Sequence, residues 1–181
     1  MELTKRYPFY NEMTEDVAFK LGQFDFPSFY SYATWRVNRE EFPLFKFFKW
    51  GSPKPSWQDC DGDFNWTNGF TLMGALDFNQ IKTIPQKLAY IRGRLTSYSV
   101  AISENKIHVS YANSTDLRDF FSQCLEDVLA DRYWKDLLNG KFTSEEYTVN
   151  TKENKSTFPA ALEVELVATK EIIDYITGRN S

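Results

Sequence analysis

Hydrophobic and polar residues alternate most regularly between residues 95 and 112, on either side of Glu104-Asn105. Successive side chains of a strand point to opposite faces, so one apolar and one polar set indicate a half-buried β-hairpin. The apolar set is Tyr98, Val100, Ile102, Ile107, Val109 and Tyr111. The polar set is Ser97, Ser99, Ala101, Ser103, Lys106, His108 and Ser110. We therefore predict a hairpin over residues 95–112 with its apolar set toward the core.

The segment after the hairpin has the spacing of a long amphipathic helix. Residues 113–116 (Asn-Ser-Thr-Asp) supply helix-capping side chains at its start, and Asn139-Gly140, a common helix stop, follows it. Its apolar positions recur every three or four residues. They are Leu117, Phe121, Cys124, Leu125, Val128, Leu129 and Tyr133. A helix over residues 115–138 with this stripe can cover the apolar side of a sheet.

The N-terminal region predicts two short helices. Thr14 is suited to cap the first helix, and Gly22 lies past its expected end. Pro27 is suited to open a second helix that runs through Trp35. Residues 82–92 are ambiguous.

Strand patterns are weaker elsewhere. Residues 42–50 are an aromatic run that is compatible with a strand, although Pro43 disfavours a central one. Residues 64–78 favour one or two strands with a turn at Asn68-Gly69. A further strand is predicted over residues 147–151. Residues 159–177 predict a final helix, with a strand followed by a short helix as the alternative because residues 162–166 alternate.

These elements predict an α+β fold in a single domain, residues 1–181. An antiparallel sheet that includes the 95–112 hairpin packs on the long helix, with short N-terminal helices and a C-terminal helix. A chain of 181 residues suits one domain better than two, and its 42% hydrophobic content is sufficient for a core.

Charge and composition narrow the classes of partner. The net charge of -4 excludes a uniformly basic nucleic-acid-binding surface, although it is compatible with a local basic patch. Aromatic residues make up 17% of the chain, which suits cores, interfaces and base stacking alike. No apolar segment approaches the roughly 20 residues of a membrane span, and no signal peptide is recognisable. We expect a cytoplasmic protein with no membrane partner.

Catalytic candidates are few. The single histidine, His108, would have to serve any Ser-His or Cys-His catalyst, and a solvated strand residue is the alternative interpretation. Cys60 and Cys124 with one histidine cannot complete a four-ligand zinc site without carboxylates. A third set has nuclease-like residue types without a recognisable spacing: Glu163, Glu165 and Lys170. No glycine-rich phosphate-binding loop occurs. We therefore predict no cofactor and no catalytic activity.

The Asp59–Asp63 segment begins like a calcium-binding loop but does not continue as one. Phe64 stands where that loop needs glycine, and Phe70 stands where it needs a bidentate glutamate. A polar turn is the alternative, and no metal site is predicted. Two other functions would use these aspartates. One is an inhibitor or immunity-type module that covers a basic protein partner, and the other is a metal-dependent hydrolase.

The polar side of the predicted hairpin is rich in small hydroxyl side chains. Ser97, Ser99 and Ser110 would let a sugar-phosphate backbone approach closely, donate to phosphate oxygens and accept from ribose 2′-hydroxyls. An ordinary solvated strand face is the alternative. Positive charge at the margin would come from Lys87, Arg92, Arg94 and Lys106.

Several short motifs occur in an order that points to a known family. They are Tyr32-Ala33-Thr34-Trp35-Arg36-Val37, Glu41, Pro43-Leu44-Phe45-Lys46, Trp50-Gly51, Lys54, Ser97-Tyr98-Ser99-Val100, Ile107-His108-Val109-Ser110, Ser114 and Leu117. Over residues 32–120 this order resembles that of the tombusvirus RNA-silencing suppressors, which are small dimeric proteins that clamp short interfering RNA duplexes. One difference is that residues 53–70 hold one basic residue, Lys54, where the family has a dense run of lysine and arginine.

The resemblance implies a homodimer that binds short double-stranded RNA and suppresses RNA silencing. It implies a cytoplasmic location, which for a viral protein is the cytoplasm of the host cell. Tyr32 and Trp35 would stack on the ends of the duplex. The RNA backbone would be contacted by Lys54, Arg92, Arg94, Ser97, Ser99 and Ser110. The dimer interface would include Val109, Leu117 and Phe121.

Overall fold

The computed structural model describes residues 10, 12–24, 30–32, 47–50, 72–112, 115–138, 147–157 and 160–179. Contacts between Cα atoms divide the chain into two compact units. The first unit contains Met1–Met13 and Phe26–Gln80, and the second contains Thr14–Asp25 and Ile81–Ser181. The assignment of residues 1–181 to a single domain stays a prediction.

The first unit contains a small antiparallel sheet of strands β1 (Tyr30–Tyr32), β2 (Phe48–Trp50) and β3 (Leu72–Leu76) in the order β1-β3-β2. Strands lie within both regions where they were predicted, 42–50 and 64–78, whereas Asn68-Gly69 lies outside the described residues.

The helix predicted from Pro27 through Trp35 is wrong over Tyr30–Tyr32, which forms strand β1. All three residues of this segment pair with β3, and Tyr30 faces Gly74. Pairing with β3 provides hydrogen-bond partners for the backbone groups of this segment, and aromatic residues favour strands.

Two closely packed helices begin the second unit. Helix α1 (Glu15–Phe24) is capped as predicted, because the Thr14 hydroxyl accepts a hydrogen bond from the Val17 amide at 3.1 Å. Helix α2 (Ile84–Leu95) occupies the ambiguous region and begins with a capping box between Thr83 and Gln86.

Gly22 lies inside α1 and not past its end as predicted, and the close approach of α2 explains why a glycine is needed there. A Cβ atom at Gly22 would lie 2.2 Å from the Tyr90 carbonyl oxygen, and one at Gly93 would lie 2.0 Å from the Phe19 carbonyl oxygen. Gly22 therefore serves close helix packing rather than helix termination.

The larger sheet contains β4 (Val100–Ile102), β5 (Lys106–Ala112), β6 (Tyr147–Asn154) and β7 (Ala161–Ala168). All neighbouring pairs are antiparallel, in the order β4-β5-β7-β6. Helix α3 covers residues 115–138 as predicted and packs against β5, β6 and β7. Its buried side chains are Leu117, Phe121, Cys124, Leu125, Val128 and Leu129. The predicted α+β class and the helix-on-sheet packing are confirmed.

The first strand of the predicted hairpin is shorter than the pattern suggested. Leu95 ends helix α2, and β4 begins only at Val100. Between them Ser99 has a φ angle of 57°, which is uncommon for a residue other than glycine and interrupts the extended backbone. Tyr98 was predicted on the apolar side, but it is 70% exposed because it precedes this break.

The predicted final helix over residues 159–177 is wrong, and the alternative of a strand and a short helix is right. Strand β7 pairs with both β5 and β6, and helix α4 (Lys170–Thr177) follows it. Alternating burial along β7 shows why: one side of the strand enters the core and the other does not. Strand β6 confirms the strand predicted at 147–151 and extends it to Asn154.

Candidate nucleic-acid interface

The larger sheet has two different faces. Its inner face packs on α3, and the Tyr111 and Phe121 ring centroids lie 6.3 Å apart across that contact. We call the opposite side the outer face. The strand register places on it Lys106, His108 and Ser110 of β5, Thr148, Asn150 and Lys152 of β6, and Glu163 and Glu165 of β7. These side chains are half-buried or exposed, so the outer face is accessible to a partner.

Ion pairs connect the charged residues of the outer face. Glu165 lies between two lysines, with carboxylate oxygens 3.5 Å from Lys106 Nζ and 3.4 Å from Lys152 Nζ. His108 Nε2 lies 3.5 Å from Glu163 Oε1, which is an ion pair only when the imidazole is protonated. The face therefore presents alternating charges across three strands.

The environment of Glu165 favours its ionised form. Partial burial opposes ionisation, but the hydrogen bond from Lys152 and the charges of Lys106 and Lys152 outweigh it and lower the pKa of the carboxyl. Glu165 is therefore a carboxylate at neutral pH.

The three predicted serines are not all on the sheet. Ser110 lies on the outer face, whereas Ser97 and Ser99 lie in the turn between α2 and β4. The Ser110 amide donates to the Ser99 carbonyl at 3.0 Å, which brings these two residues together. Ser99 is exposed and Ser97 is half-buried.

The assignment of Arg94 to RNA backbone contact is corrected by its burial. Its guanidinium donates to the Tyr98 carbonyl at 2.8 Å and to the Ser110 carbonyl at 2.9 Å. It also lies 4.6 Å from the centroid of the Tyr111 ring. Arg94 thus joins the end of α2 to the sheet, and its charged group does not reach a phosphate on the surface.

Arg92 and Lys87 also make contacts within the chain. Arg92 donates from Nε to the Ile176 carbonyl at 3.2 Å and from Nη2 to the Tyr175 carbonyl at 2.8 Å, at the C-terminus of α4. Lys87 Nζ lies 2.6 Å from Asp127 Oδ2. Desolvation opposes ionisation of Asp127, but hydrogen bonds from Lys87 and Gln123 outweigh it and lower its pKa. Both cations stabilise helix contacts rather than the outer face.

The residues assigned to a dimer interface lie inside this chain. Val109, Leu117 and Phe121 are all buried between α3 and the inner face of the sheet. Their apolar surface is already covered, so they cannot supply the contact area of a dimer without unpacking the core. This corrects the assignment of these three residues.

The remaining predicted site residues belong to the first unit. Tyr32 is the last residue of β1 and pairs with Leu72. Trp35, Lys54 and the Asp59–Asp63 segment lie outside the described residues.

Sequence reasoning missed the importance of Lys152 and the position of the two glutamates. The alternation at residues 162–166 contained the signal, because a strand there places Glu163 and Glu165 on one side and Leu162, Val164 and Leu166 on the other. The choice of a helix for this segment concealed it.

Among the described catalytic candidates, Cys124 lies in the core and His108 lies beside Glu163 on the outer face. Cys124 is buried in α3, and burial raises the pKa of its thiol far above the usual range, which keeps it a protonated and weak nucleophile. Within the described ranges, no group of three or more His, Cys, Asp or Glu residues is placed to hold a metal ion. No helix in the part of the chain that the structure describes is long and apolar enough to cross a membrane.

Comparison with known proteins adds no relative: no protein-family model, curated protein or solved structure matches this chain.

Proposed function

We propose that this protein binds short double-stranded RNA as a dimer, without catalysis, and suppresses RNA silencing by sequestering the duplex. The observation that carries the proposal is the accessible outer face of the four-stranded sheet. Strands β5 and β6, which lie on either side of β7, each carry an accessible lysine. The side chains of Lys106 and Lys152 are 47% and 53% exposed. Double-stranded RNA is recognised mainly by shape and by contacts to phosphates and 2′-hydroxyls, which such a face can provide.

The charge of the outer face supports this choice over the rest of the surface. Two lysines balance Glu163 and Glu165 there, whereas the whole chain carries a net charge of -4. An anionic backbone is therefore repelled less by this face than by an average part of the molecule.

Hydroxyl and amide groups complete the polar surface. Ser110, Thr148 and Asn150 share the outer face with the lysines, and their side chains are of the types that bind phosphate oxygens and sugars. The order of motifs that resembles the tombusvirus suppressors supports the same ligand. Among the described residues of the outer face the lysines are Lys106 and Lys152, so we expect binding to depend on shape and hydrogen bonds as well as on charge.

The test is fluorescence-anisotropy titration of RNA duplexes of several lengths with the unaltered chain and with the double variant Lys106→Gln/Lys152→Gln. Each lysine that contacts a phosphate is expected to contribute about one unit to the slope of log affinity against log salt. The double variant should therefore bind more weakly and with a slope about two units shallower. Lys20→Gln/Lys82→Gln is the matched control, since it also removes two lysine charges, both outside the larger sheet.

Equal weakening by Lys20→Gln/Lys82→Gln would reject the outer face as the interface. Failure of the unaltered chain to bind any duplex would reject the function, and the acidic module for a basic protein partner would then be the hypothesis to test. Sedimentation at the binding concentration checks the dimer, because a complex with one chain per duplex contradicts it.

A further inference from the structure

Three charged side chains lie along a diagonal of the outer face, because the register places His108 and Asn150, rather than the lysines, directly opposite Glu165. Lys106 on β5, Glu165 on β7 and Lys152 on β6 belong to three neighbouring strands, with the carboxylate in the middle. Neighbouring strands lie about 4.8 Å apart, so strands β5 and β6 are about 10 Å apart. The register also offsets Lys106 from Lys152 by about 13 Å along the strands, since they pair with Val167 and Glu163 of β7. Glu165 is 16% exposed, whereas the lysines on either side reach further into solvent.

A carboxylate is an unexpected group at the centre of a surface that binds a polyanion. Ionised Glu165 is only an acceptor, and it offers about four lone-pair sites, more than the two ammonium groups occupy. It would repel a phosphate placed directly on it. It can instead accept a hydrogen bond from a neutral donor that lies between two phosphates.

The sugar of RNA carries such a donor. The 2′-hydroxyl is exposed in the wide, shallow minor groove of an A-form duplex and distinguishes RNA from DNA. Phosphates run along both sides of that groove, where the two lysines could meet them.

We infer that Glu165 is a specificity-determining residue that accepts a hydrogen bond from a ribose 2′-hydroxyl while Lys106 and Lys152 contact the flanking phosphates. This inference rests on the proposed function and goes beyond it, because it assigns the choice of RNA over DNA to one carboxylate. The lysines would contact the phosphates of RNA and of DNA alike. The carboxylate would favour RNA, because only RNA has a 2′-hydroxyl to donate.

The test compares an RNA duplex with a duplex of the same sequence in which 2′-fluoro groups replace the hydroxyls. The fluoro duplex keeps the A-form shape but lacks the donor, so shape recognition is the same for both. A hydrogen bond to a charged group is expected to favour the RNA by about tenfold. Anisotropy titrations measure this ratio of affinities.

Two variants and a control locate the effect. Glu165→Met removes the acceptor, and it should bring the ratio close to one even if removal of a negative charge tightens binding to both duplexes. Glu165→Gln keeps an acceptor oxygen and should retain part of the preference. Glu171→Gln on α4 makes the same change of charge at an exposed glutamate that pairs with Arg132 of α3, and it should leave the ratio unchanged.

The outcomes separate this inference from the proposed function. Equal binding of both duplexes by the unaltered chain overturns the inference and leaves RNA binding intact. A preference that persists in Glu165→Met overturns the assignment to Glu165. Absence of binding to either duplex by the unaltered chain overturns the proposed function and the inference together.

Discussion

The inner and outer faces of the larger sheet are made by the same strands but stabilised by different interactions. On the inner face Ile107, Val109 and Leu166 are buried under α3. On the outer face Lys106, Lys152 and Glu165 form ion pairs that remain partly in contact with water. Apolar burial contributes far more to stability than partly exposed ion pairs do. Substitutions on the two faces should therefore have separable effects, with stability affected on one and binding on the other.

The largest loss of stability is expected on the inner side, from Phe121→Ala. The Phe121 ring is buried against the sheet near Tyr111, so its removal leaves a cavity and should cost about 3–5 kcal/mol of unfolding free energy. Urea denaturation measures it. Phe120→Ala, at a half-buried neighbour, should cost less. A loss below about 1 kcal/mol together with a change in oligomeric state would contradict the core position and restore Phe121 to a dimer interface.

An intermediate loss of stability is expected from Arg94→Met, at the contact between the end of α2 and strand β5. The substitution removes the donors to the Tyr98 and Ser110 carbonyls, and leaving these two groups without them should cost about 2–4 kcal/mol. Thermal unfolding measures the loss.

The affinity of the folded fraction of Arg94→Met for RNA should not change, because the guanidinium is buried. A loss of affinity without a loss of stability would mean that Arg94 contacts the ligand after all.

The smallest loss of stability is expected on the outer face, from Glu165→Gln at pH 7. Partly exposed ion pairs contribute about 0–1 kcal/mol, so the variant should unfold within that range of the unaltered chain. The pKa of Glu165 is lowered in the folded state, so its contribution is present above the unfolded pKa of about 4.3 and is lost as pH falls through the lower folded value. Urea midpoints at pH 7 and pH 3 check this, since the two proteins should differ less at pH 3. A difference that grows on acidification would contradict the assigned sign.

Much of the second unit could be predicted because its patterns are long and regular. Helix α3 was predicted with its observed bounds from apolar spacing and capping residues, and β5 from alternation. The N-terminal boundary of the hairpin was predicted wrongly for a local reason. The Thr83-to-Gln86 capping box begins a helix that extends to Leu95, and residues 95–99 alternate without being extended.

The site was less predictable than the fold, because its members come from strands that are distant in sequence. Ser110 could be placed on the polar side of β5, but alternation alone does not reveal that Glu165 of β7 lies between lysines of β5 and β6. Positive charge near the polar side was also misleading. Arg92 and Arg94 are close to the hairpin in sequence, yet their donors bind backbone carbonyls.

The crossing of α1 and α2 has a consequence for recognising other proteins with this fold. Neither Gly22 nor Gly93 can gain a single carbon atom without a collision between backbones. The pair is therefore a steric constraint of the fold that acts at two places far apart in the chain and does not involve the outer face. A distant homologue could replace every surface residue and still be expected to keep both glycines, or to change the two helices together.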